Sequence, residues 1–170
     1  NSIDVNDKLI LEALKKKYTV IGSCALLIKR KGFSQLIDFL RNYSNFAVVI
    51  IGDGKERKNL EELAKRYNLD DRFYIMGFRD NSVDYYRYFD IYAMTSYSEG
   101  FGLAMLEAMS QRVSLVCSRL SIYEDYFDDQ AVGLFEPDNL GSLSNAIEKV
   151  SSNIPFYSEA SYELYKQYFT

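Results

Sequence analysis

The chain has 170 residues, of which 48% are hydrophobic and 15% aromatic, so it can bury a core and is not expected to be disordered. The 20 basic and 24 acidic residues give a net charge of −4, which argues against a nucleic-acid-binding surface. Histidine is absent, which excludes imidazole as a general base or metal ligand in this segment.

The start of the chain, Asn1 to Asn6, shows no signal-peptide pattern. No apolar run approaches the ~18 residues that a membrane span requires. Cys24 and Cys117 lie in or beside apolar stretches, and we expect both to be buried free thiols, as in a reducing compartment. These features favour a cytoplasmic protein.

Short apolar runs alternate with segments of helical period along the chain, which predicts a parallel sheet covered by helices on both faces. The predicted strands are Thr19–Gly22, Ala47–Ile51, Phe73–Met76, Ile91–Met94, Ser114–Cys117 and Gly133–Phe135. Apolar residues at i, i+3, i+4 and i+7 predict helices over residues 33–40, 60–67 and 143–150. The expected fold is α/β, a Rossmann-like three-layer sandwich with a six-stranded parallel sheet.

No internal boundary is visible, because Pro137 and Pro155 are the only prolines and neither repeats nor low-complexity linkers occur. We therefore expect one domain over residues 1–170. The tyrosine-rich tail, residues 155–170, is predicted to be a helix. It packs on its own domain or offers an aromatic surface to a missing neighbour, and the sequence leaves both open.

Ligands of open α/β sheets bind beyond the carboxyl ends of the strands. The segment Gly52-Asp53-Gly54 follows the second strand, but Arg57 stands where a dinucleotide fingerprint has its third glycine, so we interpret it as a tight turn. After the fourth strand, Gly100 and Gly102 allow close approach of the backbone to a ligand. A helix that begins near Gly102 would offer free N–H groups to a phosphate.

Glu107 lies within this predicted helix, which is apolar around most of its circumference and has no cation three or four residues from Glu107. One explanation is a narrow solvated stripe or a helix end. The other is that the carboxylate accepts hydrogen bonds from paired ligand hydroxyls, such as those of a ribose. A phosphate at the helix mouth and a ribose beside Glu107 would belong to one nucleotide.

The segment from Glu99-Gly100-Phe101-Gly102 to Glu107-Ala108-Met109 resembles the E-x7-E signature of family 4 glycosyltransferases, which have the two-domain GT-B fold. Further matching segments occur in the expected order: Ile21-Gly22 leading to Lys31-Gly32, Ile51-Gly52-Asp53-Gly54, Met76-Gly77-Phe78 and Gly133-Leu134-Phe135. The resemblance implies the C-terminal half of a GT-B protein, which binds a nucleotide sugar. An N-terminal acceptor-binding half, which normally supplies a histidine, would be its missing partner.

The resemblance also implies roles for individual residues. Glu107 matches the carboxylate that holds the ribose, and Glu99 matches the one near the donor-sugar hydroxyls. Glu99 is the candidate catalytic residue. The further donor-binding candidates are Gly22, Ser23, Arg30, Lys31, Phe78, Arg79, Gly100, Phe101, Gly102 and Leu103. Phe101, Gly102 and Leu103 would act through backbone donors, and Phe78 and Arg79 would flank the nucleobase. No cofactor or metal is expected, because positive groups and a helix N-terminus stabilise the departing diphosphate.

Three positions depart from the family pattern. Ser23 stands where many members have arginine, so Arg30 or Lys31 is expected to supply the charge that reaches the diphosphate. Arg112 and Ser114 replace the usual glycine and proline after the signature helix. The departure at Ser23 and the departure at Arg112 and Ser114 both bear on the loop around the donor.

The resemblance therefore implies a retaining glycosyltransferase that moves a hexose-type sugar from a UDP- or GDP-sugar to a glycan or lipid-linked acceptor. Assembly of bacterial capsule or lipopolysaccharide is the expected setting, with peripheral membrane association of a full-length protein at the inner face as one arrangement. The isolated domain is expected to be inactive. Two alternatives stay open: a GT-B sugar-nucleotide epimerase, which the Glu99/Glu107 pattern disfavours, and a non-catalytic interaction module.

Overall fold

A computed structural model describes residues 2–170 as an α/β sandwich around one sheet. Its strands are β1 (Thr19–Cys24), β2 (Phe46–Ile51), β3 (Phe73–Gly77), β4 (Ile91–Met94), β5 (Ser114–Ser118) and β6 (Gly133–Phe135). Among the described residues, all five pairings between these strands are parallel, in the order β3-β2-β1-β4-β5-β6. The predicted fold class is confirmed.

The predicted strands all exist, and the largest difference in their bounds is at β1. The prediction ends this strand at Gly22, whereas the ladder continues through Ser23 and Cys24, which pair with Ile50 and Ile51. Neither residue has the apolar, branched side chain that marks a strand in sequence. Ser23 is therefore a buried strand residue and not the first residue of a loop.

Within residues 2–170, six α-helices cover the sheet: α1 (Val5–Lys17), α2 (Ser34–Leu40), α3 (Arg57–Arg66), α4 (Leu103–Ser110), α5 (Leu140–Ser151) and α6 (Ile154–Phe169). The helices predicted from apolar stripes correspond to α2, α3 and α5, and the signature and tail helices to α4 and α6. Sequence reasoning missed α1. Its inner positions Leu11 and Leu14 are buried, but Val5 and Leu9 are exposed, so its apolar residues do not fall on one face.

The sheet separates two cores. One lies beneath α1, α4 and α6 and contains Leu11, Met109 and Leu164, and the other lies beneath α2, α3 and α5 and contains Leu36, Leu60 and Ile147. Buried residues follow one another along β2, as expected for a strand covered on both faces. This packing brings the loops after β1, β3 and β4 to one edge of the sheet.

The tail helix α6 packs on its own domain, against α4 and β5. Leu164 is buried in the core beneath it, whereas Phe156 and Tyr168 are exposed. This arrangement corresponds to the first of the two alternatives for residues 155–170.

Candidate functional site

The loop after β4, residues 95–102, leads directly into α4 at the carboxyl edge of the sheet. Gly102 is the residue before the helix, and within residues 2–170 no side chain caps this end. The first hydrogen bond of the helix runs from the N–H of Leu106 to the carbonyl of Gly102, so the N–H groups of Leu103, Ala104 and Met105 are left without helical partners. Free N–H groups at a helix start are suited to an anion, so the phosphate site stays a prediction at this position.

Two glycines of this loop are not required by packing. A Cβ added at Gly100 would meet no atom within 4 Å, and one added at Gly102 would meet only the Cβ of Met105 at 3.7 Å. Neither glycine has a positive backbone φ. Space beside both residues is therefore open to a ligand that approaches the backbone closely.

Phe101 lies between these glycines and is held by an aromatic cluster. Its ring centroid is 5.4 Å from that of Tyr123, 5.2 Å from Tyr126 and 5.4 Å from Phe169 in α6. The hydroxyl of Tyr123 also donates to the carbonyl of Gly100 at 3.1 Å. The side chain thus anchors the loop while the backbone remains available.

Glu99 lies in the same loop, directly before Gly100, and accepts hydrogen bonds from three side chains. Lys31 Nζ lies 2.7 Å and Ser96 Oγ 2.8 Å from Oε2, and Arg30 Nη1 lies 3.4 Å from Oε1. Burial alone would raise the pKa of Glu99, but these hydrogen bonds and the charges of Lys31 and Arg30 outweigh it, so the pKa lies below its ordinary value. Glu99 is therefore an ionised acceptor at neutral pH.

The basic residues form a short 3-10 turn, Lys29–Lys31, which ends at Gly32 in the left-handed conformation. Lys31 is mostly buried against Glu99, whereas 45% of the Arg30 side chain is exposed and its Nη1 also donates to the carbonyl of Ser98 at 3.0 Å. The structure thus brings Arg30 and Lys31 together with Glu99. It places them at the loop that leads into α4.

Glu107 lies one turn into α4 and is exposed. At ~1.5 Å of rise per residue, it stands about 6 Å from Leu103 along the helix. The hydroxyl of Tyr86 is 3.4 Å from its Oε1, a long hydrogen bond that leaves most of the carboxylate able to accept others. Exposure agrees with the solvated-stripe explanation and equally allows a ligand to reach Glu107.

A groove of about 580 Å³ lies at the ends of β1, β2 and β3. Its lining includes Cys24, Leu26 and Phe78, and Phe78 is 73% exposed at its rim. The pKa of the Cys24 thiol lies above its ordinary value, chiefly because the thiol is buried. Hydrogen bonds with Ser82 and Tyr86 lower this pKa in part, and the negative charge of Glu107 raises it. Both cysteines are free thiols, as predicted, but only Cys117 is buried. Cys24 is half-buried, because it ends β1 at the groove wall.

Sequence reasoning missed part of this groove. Cys24 ends β1, Ala25 and Leu26 follow it, and Gly52 and Gly54 also line the groove. Gly54 also packs against the chain after β1, since an added Cβ would lie 2.5 Å from the carbonyl oxygen of Leu27. The tight-turn interpretation of residues 52–54 describes their conformation but not their place in the wall.

Arg79 lines the same groove, but its guanidinium is occupied. Nε lies 2.9 Å from Oδ2 of the buried Asp7 in α1 and 3.2 Å from the hydroxyl of Tyr85, and Nη1 donates to the carbonyl of Phe78 at 3.0 Å. The hydrogen bond with Asp7 raises the pKa of Arg79. Its charge holds the loop after β3 to α1, while Phe78 stands free beside it.

Gly22 and Ser23 lie inside β1, and the groove wall begins one residue later, at Cys24. A Cβ at Gly22 would come within 2.2 Å of the ring of Phe89, so packing alone requires this glycine. Ser23 is 3% exposed. Neither Gly22 nor Ser23 lines the groove.

The remaining departures lie at the other end of α4. Arg112 adopts a positive φ of 61°, the conformation that a glycine favours, and its guanidinium lies 3.7 Å from the ring centroid of Tyr162 and 3.1 Å from Glu159 Oε2. The hydroxyl of Ser114 donates to the carbonyl of Asp90 at 2.7 Å. Both residues are accounted for by contacts away from the start of α4.

Among residues 2–170, no group of three or more acidic, cysteine or histidine side chains is placed to hold a metal ion. Within the same residues, no helix has the length and apolar character needed to cross a membrane.

The known proteins to which this chain is similar include several glycosyltransferases. A family model for glycosyl transferases group 1 matches residues 7–167. The chain is 30% identical over its whole length to the O-antigen biosynthesis glycosyltransferase WclY of Escherichia coli, of which it covers 50%. It is 27% identical over 132 residues, 77% of this chain and 39% of the relative, to the lipopolysaccharide core biosynthesis glycosyltransferase LpsE of Rhizobium meliloti. The chain thus spans about half the length of the curated relatives it matches, or less.

Solved structures show the same fold. The C-terminal domain of the Francisella tularensis glycosyl transferase group 1 protein LpcC gives a TM-score of 0.79 at 25% identity, with 98% of this chain and 94% of that one covered. Anabaena HepE, solved with UDP and glucose, gives a TM-score of 0.84 at 23% identity, with 98% of this chain and 49% of that one covered.

Proposed function

Because the chain belongs to the glycosyl transferases group 1 family, we propose that it is the donor-binding, C-terminal half of a retaining GT-B glycosyltransferase. The observation that carries this proposal is the placement of Glu99 before, and Glu107 after, the uncapped start of α4. The apolar groove includes Cys24, whose pKa the charge of Glu107 affects. In this proposal the sugar lies by Glu99, the diphosphate at the start of α4, the ribose at Glu107 and the base in the groove.

The donor is a nucleotide sugar, for which each of these positions has suitable chemistry. The N–H groups of Leu103, Ala104 and Met105 would bind the diphosphate, and Glu107 would accept the ribose hydroxyls. Phe78 offers an exposed ring at the groove rim on which a base can stack. UDP is the first nucleotide to test, because Anabaena HepE was solved with it.

In the reaction, the bond between the anomeric carbon and the diphosphate oxygen breaks, and an acceptor hydroxyl oxygen bonds to that carbon. The diphosphate departs with the electron pair of the broken bond and takes up the proton of the acceptor hydroxyl, so negative charge grows at the start of α4 until that proton arrives. Arg30 and Lys31 lie close enough to the loop before α4 to stabilise this charge together with the helix N-terminus. Glu99 would orient a donor-sugar hydroxyl. This route needs no metal.

The setting that we propose is bacterial surface polysaccharide assembly, with a glycan or lipid-linked acceptor. Relatives named for O-antigen and lipopolysaccharide core biosynthesis support it. The acceptor would bind to an N-terminal half, for which the double length of the relatives leaves room. A full-length protein would work at the inner face of the membrane, where lipid-linked acceptors are available.

A thermal-shift panel tests the donor site directly. UDP, GDP, ADP and UMP are added to this chain at increasing concentration, and UDP or GDP is expected to raise the unfolding midpoint in proportion to the logarithm of its concentration. The same titration with Glu107→Gln is the specificity control. No shift with any of these nucleotides up to millimolar concentration would contradict the proposal.

A separate experiment tests whether catalysis needs both halves of the protein. This chain alone is expected to release no sugar from a UDP- or GDP-sugar, because the acceptor site and any histidine base are outside it. Turnover by the chain above a protein-free blank would show that half of the active site suffices and would refute this part of the proposal.

A further inference from the structure

Gln35 of α2 joins three loops at the carboxyl edge of the sheet. Its Nε2 donates to the carbonyl of Gly32 at 3.0 Å and to that of Thr95 at 2.9 Å, and its Oε1 accepts from the N–H of Asp138 at 2.8 Å. The side chain is buried. Both amide donors and the oxygen are used, so only one orientation of the carboxamide satisfies all three partners.

Thr95 provides a second hydrogen-bonded connection between the basic turn and the loop after β4. Its buried hydroxyl donates to the carbonyl of Lys31 at 2.7 Å, and the N–H of Tyr97 donates to the carbonyl of Arg30 at 2.9 Å. The backbone of both basic residues is thus bound to the first residues of the loop after β4. From this fixed origin, the side chains of Arg30 and Lys31 reach Glu99.

The backbone at Gly32 packs closely against both Gln35 and Thr95. Gly32 has a φ of 67°, and a Cβ there would lie 2.4 Å from the carbonyl oxygen of Thr95 and 2.6 Å from Gln35 Nε2. Buried polar side chains that are fully hydrogen-bonded fix one arrangement of the groups around them, whereas apolar side chains of similar size would fill the space without fixing it.

From these contacts we infer that Gln35 and Thr95 are positioning residues, which hold the Lys31–Glu99 pair in the geometry that the donor site uses. Neither side chain touches the groove, so both act through the backbone at residues 31 and 32. A lysine ammonium on a flexible stem gains precision when its backbone is fixed, and donor sites lose function when charged groups are displaced by about 1 Å. This inference rests on the proposed donor site.

Paired substitutions at Thr95 test the inference. Thr95→Val keeps the shape and removes the hydroxyl, whereas Thr95→Ser keeps the hydroxyl. The first readout, which needs no ligand, is the pKa of Glu99 from an NMR titration of its side-chain carboxyl carbon. We expect it to stay low in the wild type and Thr95→Ser and to rise toward the ordinary glutamate value in Thr95→Val.

The second readout is the ratio of affinities for UDP and UMP, measured by calorimetry. Thr95→Val is expected to reduce the preference for UDP by roughly tenfold, and Thr95→Ser to retain it. A merely structural role would lower the unfolding midpoint of Thr95→Val without changing either the pKa of Glu99 or this ratio, and that result would overturn the inference.

Gln35→Met provides an independent variant, with Gln111→Met as its matched control. Gln111 also donates to a carbonyl, that of Val83 at 3.3 Å, but it is exposed at the far end of α4. Gln35→Met should act like Thr95→Val, and Gln111→Met like the wild type. If Gln35→Met does not fold, the Thr95 pair decides.

The two readouts separate this inference from the proposed function. A wild-type chain that binds no UDP, together with a raised Glu99 pKa in Thr95→Val, would refute the donor site and keep the positioning role. A wild type that prefers UDP, with Thr95→Val and Thr95→Ser identical to it in both readouts, would keep the donor site and refute the positioning role.

Discussion

The ring of Phe169, at the end of α6, packs on the ring of Phe101 in the loop before α4, with 5.4 Å between centroids. These residues are far apart in sequence, yet the tail of the chain supports the loop that we assign to the diphosphate. Tyr126 completes the cluster, with centroids 5.2 Å from Phe101 and 5.5 Å from Phe169.

Phe169→Ala should therefore affect both stability and binding. Loss of a half-buried aromatic ring is expected to reduce the free energy of unfolding by about 1–3 kcal/mol and to weaken UDP binding by loosening the loop. Denaturant unfolding and calorimetry measure the two effects. Phe156→Ala, on an exposed residue of the same helix, is the control and should change neither. Unchanged UDP affinity in Phe169→Ala would show that the tail does not support the loop.

Glu107→Gln should weaken nucleotide binding without harming the fold. The amide keeps the shape of an exposed side chain but removes the charge that strengthens hydrogen bonds from ribose, at a cost of about 1–3 kcal/mol in binding free energy. Calorimetry with UDP gives the affinity, and Glu148→Gln on the exposed side of α5 is the matched control. Equal affinities of Glu107→Gln and wild type would end the ribose assignment.

Gly102→Ala tests whether a ligand approaches the start of α4. The added Cβ meets only Met105 at 3.7 Å, so we expect the unfolding free energy to stay within about 1 kcal/mol of the wild type. A diphosphate bound to the N–H groups would collide with the methyl group, so UDP affinity should fall at least tenfold. Gly141→Ala, in the first turn of α5 with 3.5 Å to its nearest atom, is the control. If Gly102→Ala retains full UDP affinity, the diphosphate does not bind at the start of α4.

Arg30→Ala combined with Lys31→Ala should remove most of the preference for UDP over UMP. The wild type has two cations beside the loop before α4, and the second phosphate gains more from them than the first. Lys29→Ala changes the exposed first residue of the same turn and should keep the preference. If the double variant keeps it as well, the basic turn is only a solvated flank, and Ser23 marks a weakened donor site.

The ion pair of Lys31 with Glu99 should make stability depend on pH. Because the pKa of Glu99 is lower in the folded state, the pair contributes stability above the unfolded pKa of ~4.3, and the contribution is lost as pH falls through the folded pKa. Lys31→Met should therefore cost about 1–2 kcal/mol at pH 7 and progressively less as the pH falls below ~4.3 toward pH 3. Urea unfolding at both values measures this difference.

Lys166→Met is the control for this pH dependence, because Lys166 pairs with Glu163 on the exposed surface of α6. It should change stability by less than about 0.5 kcal/mol at either pH. An equal cost of Lys31→Met at pH 7 and pH 3 would show that lost packing, not the charge on Glu99, causes the effect.

The sequence predicted the sheet because apolar strand runs and helical stripes are local patterns, and their bounds differ from the structure by a few residues. It did not predict α1, whose exposed Val5 and Leu9 obscure the buried face. It also did not predict that Arg79 would be bound to Asp7, because that pairing joins residues 72 positions apart. Contacts of this range depend on the complete fold.

The candidate site shows the same division. Glu99, Glu107 and the glycines between them were found because they occupy one continuous segment with a recognisable spacing. The junction of Gln35 with Gly32, Thr95 and Asp138 has no such signal, since its parts come from three separate loops. Gly22 was assigned to the donor site, although the ring of Phe89 accounts for it.

The hydrogen bonds between Asp7 and Arg79 determine where this domain can be joined to another protein. A fragment that begins at β1 would keep Arg79 and Tyr85 but lose the carboxylate that both contact, and a guanidinium without its partner would remain in the groove wall. In chimaeras that exchange donor halves between relatives, the crossover point therefore belongs before Asp4, whose side chain caps α1. The first helix then transfers together with the groove wall that its Asp7 supports.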